Sequence, residues 1–259
     1  MTTRFRNLFL LAALSVLAAR ATAAEIYVGC EHFRWTETDT AGNRLLTENG
    51  PLYSIGTDAT HALGKSAELD GRVEGFLGEV DYDGHTQDGS PLFTTTQYYG
   101  LAGDLDARLP FSIAENFRLS PLAGVGARGW LRQLDNSPRD STGYDEAWLT
   151  TFLRTGLRAA YAPREDAEFF AEAALRLPVY NTVHYSFNFD GSSEDVAVEP
   201  GCELTFAAEA GAKFHGTRVS AFYEQLKFSR SNTATISGFD VSQPDSDGSI
   251  IGLRIGIDL

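Results

Sequence analysis

Apolar residues in this chain recur at every second position, and beyond the N-terminus they never form a run long enough to cross a bilayer as a helix. The last segment shows the pattern most plainly. Ile251, Leu253, Ile255, Ile257 and Leu259 fall on one face of an extended strand, while Gly252, Arg254, Gly256 and Asp258 fall on the other. A soluble sheet would turn its charged face to water. A closed sheet in a membrane would instead set its aliphatic face against lipid and its charges inside.

The same alternation runs through Thr95 to Leu109, Phe117 to Leu131, Leu149 to Tyr161, Phe169 to Val179 and Leu204 to Phe214, and gives about ten strands in all. Their connections sort by length in strict alternation. Gly64–Ser66, Pro110–Asn116, Ala162–Glu168 and His215–Arg218 are short. Thr36–Pro51, Tyr82–Leu92, Gln133–Asp145, Asn181–Gly201 and Ser229–Ser249 are long and polar, and their acids, Glu37, Asp39 and Glu48 among them, read as solvated. Phe117, Tyr161, Phe169 and Phe214 share outward parity beside short turns, as an interfacial aromatic girdle requires. The fold expected is all-β: an antiparallel transmembrane β-barrel with short periplasmic turns and long extracellular loops.

Residues 1–23 read as a cleavable secretory signal, with Arg4 and Arg6 before an apolar stretch and Ala21-Thr22-Ala23 at its end. The barrel domain then occupies 24–259. The chain carries a net charge of −14, which disfavours nucleic acid as a partner. Its 17 Phe, 10 Tyr and 25 Gly beside a single Met suit strands and turns. Cys30 and Cys202 are expected to face outward on the first and eighth strands, roughly 14 Å apart along the wall and too far for a disulfide unless a bulge turns Cys30 inward.

These features resemble the bacterial outer-membrane β-barrels as a class, and Gly252 to Leu259 resembles their C-terminal assembly signal, with Leu259 where an aromatic is usual. The resemblance implies an integral outer-membrane location, folding by the barrel-assembly machinery, and outer-membrane lipids and lipopolysaccharide as neighbours.

Inward parity collects Arg118, Arg128, Arg132, Arg154, Arg158, Arg176 and Arg254 against Glu68, Asp70, Glu74, Asp104, Asp106, Glu172, Glu203, Glu209 and Asp258. That balance predicts a plugged, salt-bridged lumen rather than a porin-like channel. Gly124, Gly126 and Gly129 match a dinucleotide fingerprint by spacing alone. No helix follows them, so no cofactor is expected, and the scattered histidines suggest no metal.

Two catalytic patterns compete with a non-enzymatic reading. His184 and Ser186 form a His-x-Ser pair similar to that of outer-membrane lipid A deacylases and phospholipases, and a turn at Asp190-Gly191 would set Glu199 opposite His184 as the orienting acid. Parity with Val183, Tyr185, Phe187 and Phe189 places the pair on the inner face, away from lipid, unless Pro178 marks a bulge. Asp81, Asp83 and His184 occupy places similar to those of omptin proteases, but Thr182 stands where the orienting Asp is needed. The expectation is therefore a non-enzymatic barrel, structural or ligand-presenting, with no assigned catalytic residue; lipid hydrolysis ranks next, and a protease or small pore after it.

Overall fold

The computed structural model describes residues 23–64, 66–85, 89–134, 144–189 and 192–259. The segment expected to be a leader, residues 1–23, lies outside these residues except for Ala23, which opens the first strand. The strands are β1 (Ala23–Thr38), β2 (Arg44–Leu63), β3 (Ala67–His85), β4 (Pro91–Arg108), β5 (Phe111–Ala114), β6 (Phe117–Leu134), β7 (Asp145–Arg164), β8 (Ala167–Phe189), β9 (Ser192–Val198), β10 (Gly201–Cys202), β11 (Thr205–Phe214), β12 (Thr217–Ser229), β13 (Ala234–Ile236), β14 (Phe239–Val241) and β15 (Asp245–Asp258).

Ten of these strands are the staves of a closed antiparallel barrel, in the order β1-β2-β3-β4-β6-β7-β8-β11-β12-β15. The circle closes where β15 pairs with β1 without a register shift, from Glu25 opposite Asp258 to Thr38 opposite Asp245. Closure gives each of the ten staves a neighbour on both sides, as a hydrocarbon environment demands. Short hairpins at one end include the His215-Gly216 turn, whose φ values of 48° and 76° suit the mirror-image turn that matches strand twist.

The outward face carries a continuous apolar belt. Val28, Ile55, Leu77, Leu101, Val125 and Leu153 are typical of it, each about half exposed. At the short-turn end Tyr161, Phe169 and Phe214 form the expected girdle, and Phe169 meets Phe214 edge to face at 5.5 Å. Cys30 and Cys202 are free and exposed.

The staves run further than the lipid-facing alternation predicts. β8 extends to Phe189 and β2 begins at Arg44, so much of each long connection is itself strand. A strand needs only about ten residues to cross a bilayer, and above that height the outward face turns polar, so the period-two signal fades although the strand continues. Glu37 and Glu48 are corrected on this ground. Both lie on staves and point inward, and Glu48 is fully buried.

A second correction concerns β8. Pro178 pairs with Phe152 and Tyr180 with Thr151, leaving Val179 as an extra residue. Val179 and Tyr180 are consecutive yet both outward, at 55 % and 41 % exposure, and the parity is reversed from Asn181 to Tyr185. Val183 and Tyr185 therefore point inward and are buried, against the parity expected for them, and His184 turns outward.

Candidate functional site

Two layers fill the bore. Toward the long-connection end, Trp148 stacks on Trp130 at 5.1 Å, meets Trp35 edge-on at 5.4 Å and touches Phe228 at 5.1 Å, and Phe33 packs on Tyr98 at 4.8 Å. These rings come from β1, β4, β6, β7 and β12, so they span the cross-section. Glycine makes room for them: a side chain at Gly100 would lie 2.6 Å from Phe76 and 2.8 Å from Trp130. Arg132 sits beside this layer with Glu48 at 2.8 Å, Glu146 at 2.5 Å and Glu37 at 3.7 Å. Tyr98 donates to Glu48, and the indole N–H groups of Trp35 and Trp148 donate to Glu37 and Glu146. Gln243 closes the top by donating to Glu37 and accepting from Tyr185.

Below the rings the lumen is ionic. Arg72 on β3 reaches Glu209 on β11 at 2.8 Å and Asp58 at 2.7 Å. Arg254 pairs with Glu74 at 2.8 Å and lies 3.6 Å from the centre of the Phe222 ring, while Arg154 bridges Asp106 at 2.8 Å and Glu172 at 2.5 Å. Beneath these struts a cavity of about 270 Å³ opens toward the short turns, lined by Asp70, Arg108, Arg158, Glu168 and Arg218 among others.

The charge-filled lumen is thus as expected, and inward parity had already marked Arg132, Arg154, Glu172, Glu209 and Arg254. It omitted Arg72 and Arg108, which share the parity of residues it did name on β3 and β4, and Asp58 and Glu224, which lie on β2 and β12, where it named no inward residue. Glu25 and Glu31 are likewise buried on β1. Gly124, Gly126 and Gly129 lie within β6 with no helix after them, and the space inside Gly126 is taken by Phe152 and Asp104.

The catalytic patterns do not assemble as drawn. His184 and Ser186 share the outer face of β8, but the residue opposite His184 is Ala197 and that opposite Ser186 is Asp195. Glu199 lies beyond the paired part of β9, with its amide donating to Asn232 at 2.8 Å. The turn residues Asp190 and Gly191 lie outside the described residues. Asp81 is exposed, Asp83 pairs with Arg44 at 3.1 Å, and β4, β6 and β7 separate both from the outward His184.

No family model and no curated protein matches the chain. Solved structures do. The outer membrane protease OmpT from Escherichia coli aligns over 92 % of this chain and 97 % of its own, with 10 % identity and a TM-score of 0.53. A major outer membrane protein from Thermus thermophilus aligns over 91 % of this chain and 99 % of its own, with 13 % identity and a TM-score of 0.44. The transport unit of the autotransporter AIDA-I from Escherichia coli aligns over 93 % and 92 %, with 11 % identity and a TM-score of 0.46. At these identities the likeness concerns fold. The chain has the architecture of a bacterial outer-membrane β-barrel, closed by ten antiparallel staves.

Proposed function

We propose that this protein is a closed, non-catalytic wall protein of the outer membrane that presents its outer hairpins to the surroundings. In this reading the Met1–Ala23 segment exports it, the barrel-assembly machinery inserts it, and outer-membrane lipids and lipopolysaccharide surround it. The supporting observation is the filled bore: stacked indoles from facing staves lie above struts such as Arg72 to Glu209. A barrel of about eight strands is just filled by side chains, and large residues extend that filling to ten. Planar-bilayer recording tests the reading, with no stepwise conductance expected. Reproducible single-channel steps would replace it with a pore.

Lipid hydrolysis remains a second reading because the Val179 bulge turns His184 and Ser186 to the outer face, the side from which a lipid substrate would approach. It still lacks an acid opposite His184. Native protein incubated with purified lipopolysaccharide and phospholipid should release no fatty acid above the level of Ser186→Ala. Release by the native protein alone would assign the Ser-His chemistry, and cleavage of basic peptides would revive the protease.

A further inference from the structure

Among the described residues, every arginine and lysine stands within ion-pair distance of a carboxylate except Arg34 and Lys227. Both are exposed and both point outward, since Phe33, Trp35, Leu226 and Phe228 beside them are buried. They stand on β1 and β12, the two staves that flank β15.

Their height on the wall matters as much as their charge. On β15 the outward face is aliphatic from Leu259 up to Ile251 and then turns to Ser249 and Asp247. Ile251 is flanked by His32 and Tyr223, Ser249 by Arg34 and Gln225, and Asp247 by Thr36 and Lys227. The two cations therefore sit one and two rows above the last lipid-facing aliphatic, with Tyr223 at the level where interfacial aromatics belong. Two strand spacings of about 10 Å and a one-row offset of about 7 Å put their backbones about 12 Å apart, a gap that long Arg and Lys side chains can close on one anion.

Because the short turns mark the periplasmic end, this rim meets the outer leaflet, and we infer that Arg34 and Lys227 together dock the phosphate of a phosphorylated glycolipid there. Arg34 supplies a planar fork for two phosphate oxygens and Lys227 a point charge on the far side, while the acyl chains lie along Ile251, Leu253 and Ile255. Exposed His32 sits directly below Arg34 on the same stave. Asp247 beside Lys227 opposes the anion and limits its affinity. The inference rests on the membrane orientation proposed above, but not on whether the bore conducts; a pore found in bilayers would leave it standing.

The test is a titration of the full chain, in uncharged detergent, with diphosphorylated lipid A, read as bound lipid by native mass spectrometry. Arg34→Gln combined with Lys227→Gln should weaken binding by about tenfold or more, from the loss of two charge-assisted contacts. Lipid A stripped of phosphate should bind the native protein as weakly as intact lipid A binds the double variant. Arg164→Gln, at the opposite end of the barrel, should bind as native does, and Asp247→Asn should bind more tightly. Equal binding by native protein and double variant would overturn the inference, as would indifference to phosphate or an equal loss in Arg164→Gln. Heat-modifiable gel migration confirms that each variant is folded.

Discussion

Arg132 on β6 donates to both carboxylate oxygens of Glu48 on β2, at 2.8 Å to 3.2 Å, although β3 and β4 stand between their staves. The contact crosses the bore, and the same guanidinium also neutralises Glu146 and faces Glu37. One cation thus holds three buried acids.

Replacing Arg132 with Met is expected to cost about 3–5 kcal/mol, because it strands buried carboxylates rather than removing a pair. The temperature at which heat-modifiable migration is lost should fall. Adding Glu48→Gln should recover part of the loss, since the most intimate partner then no longer carries charge. A single variant as stable as the native protein would contradict the hub.

Glu31 offers the opposite case. It is buried on β1 with no cation in ion-pair distance among the described residues, and the acids Glu74 and Glu224 lie near it. Glu31→Gln should raise the unfolding temperature, corresponding to about 1 kcal/mol or more for relief of an unsatisfied charge. A decrease would show that the carboxylate has a partner in solution.

The close approach at Gly100 predicts a cavity too small for any branched side chain. Gly100→Val would drive Phe76 and Trp130 apart and should destabilise the barrel by about 1–3 kcal/mol. Near-ultraviolet circular dichroism should lose part of the signal from the stacked indoles, whereas Val at Gly75, where the nearest atom to an added Cβ is Leu101 Cδ2 at 3.5 Å, should leave that signal unchanged.

Outside the membrane, Asp39 caps the β1–β2 turn by accepting from the amides of Ala41 and Asn43, each at 2.8 Å, and from the Asn43 side chain at 2.9 Å. These bonds hold its carboxyl below the ordinary Asp range. A depressed value means that the stabilisation is present above about pH 3.9, the ordinary Asp value, and is lost as pH falls below it. Protection of the Ala41 and Asn43 amides, taken relative to the intrinsic exchange rate at each pH, should fall on acidification, and in Asp39→Ala it should be low at every pH.

The barrel was legible in the sequence because lipid imposes a strict outward alternation, seen at Ile251 to Leu259, and because short and long connections separate by end. What escaped was the part of the wall above the bilayer. Glu37 and Glu48 looked like loop acids because at that height the outward face is polar and the buried inward face also carries acids, so the alternation loses its contrast. The face of His184 escaped for another reason: a bulge adds one residue without any signature except Pro178 nearby, and parity counted through it comes out inverted. Cross-lumen partners such as Arg72 and Glu209 were unreadable as pairs, since parity assigns a face but not which staves face each other.

Val179 has a consequence for how this surface can change. The residue acts as a phase shifter: below it even-numbered positions of β8 look into the bore, above it odd-numbered ones do. Loss of that single codon would exchange the two sides of the whole upper strand, exposing Val183 and Tyr185 and forcing His184 toward the indoles. Substitutions can remodel the outer hairpin one side chain at a time, but its length is fixed by the stave beneath it.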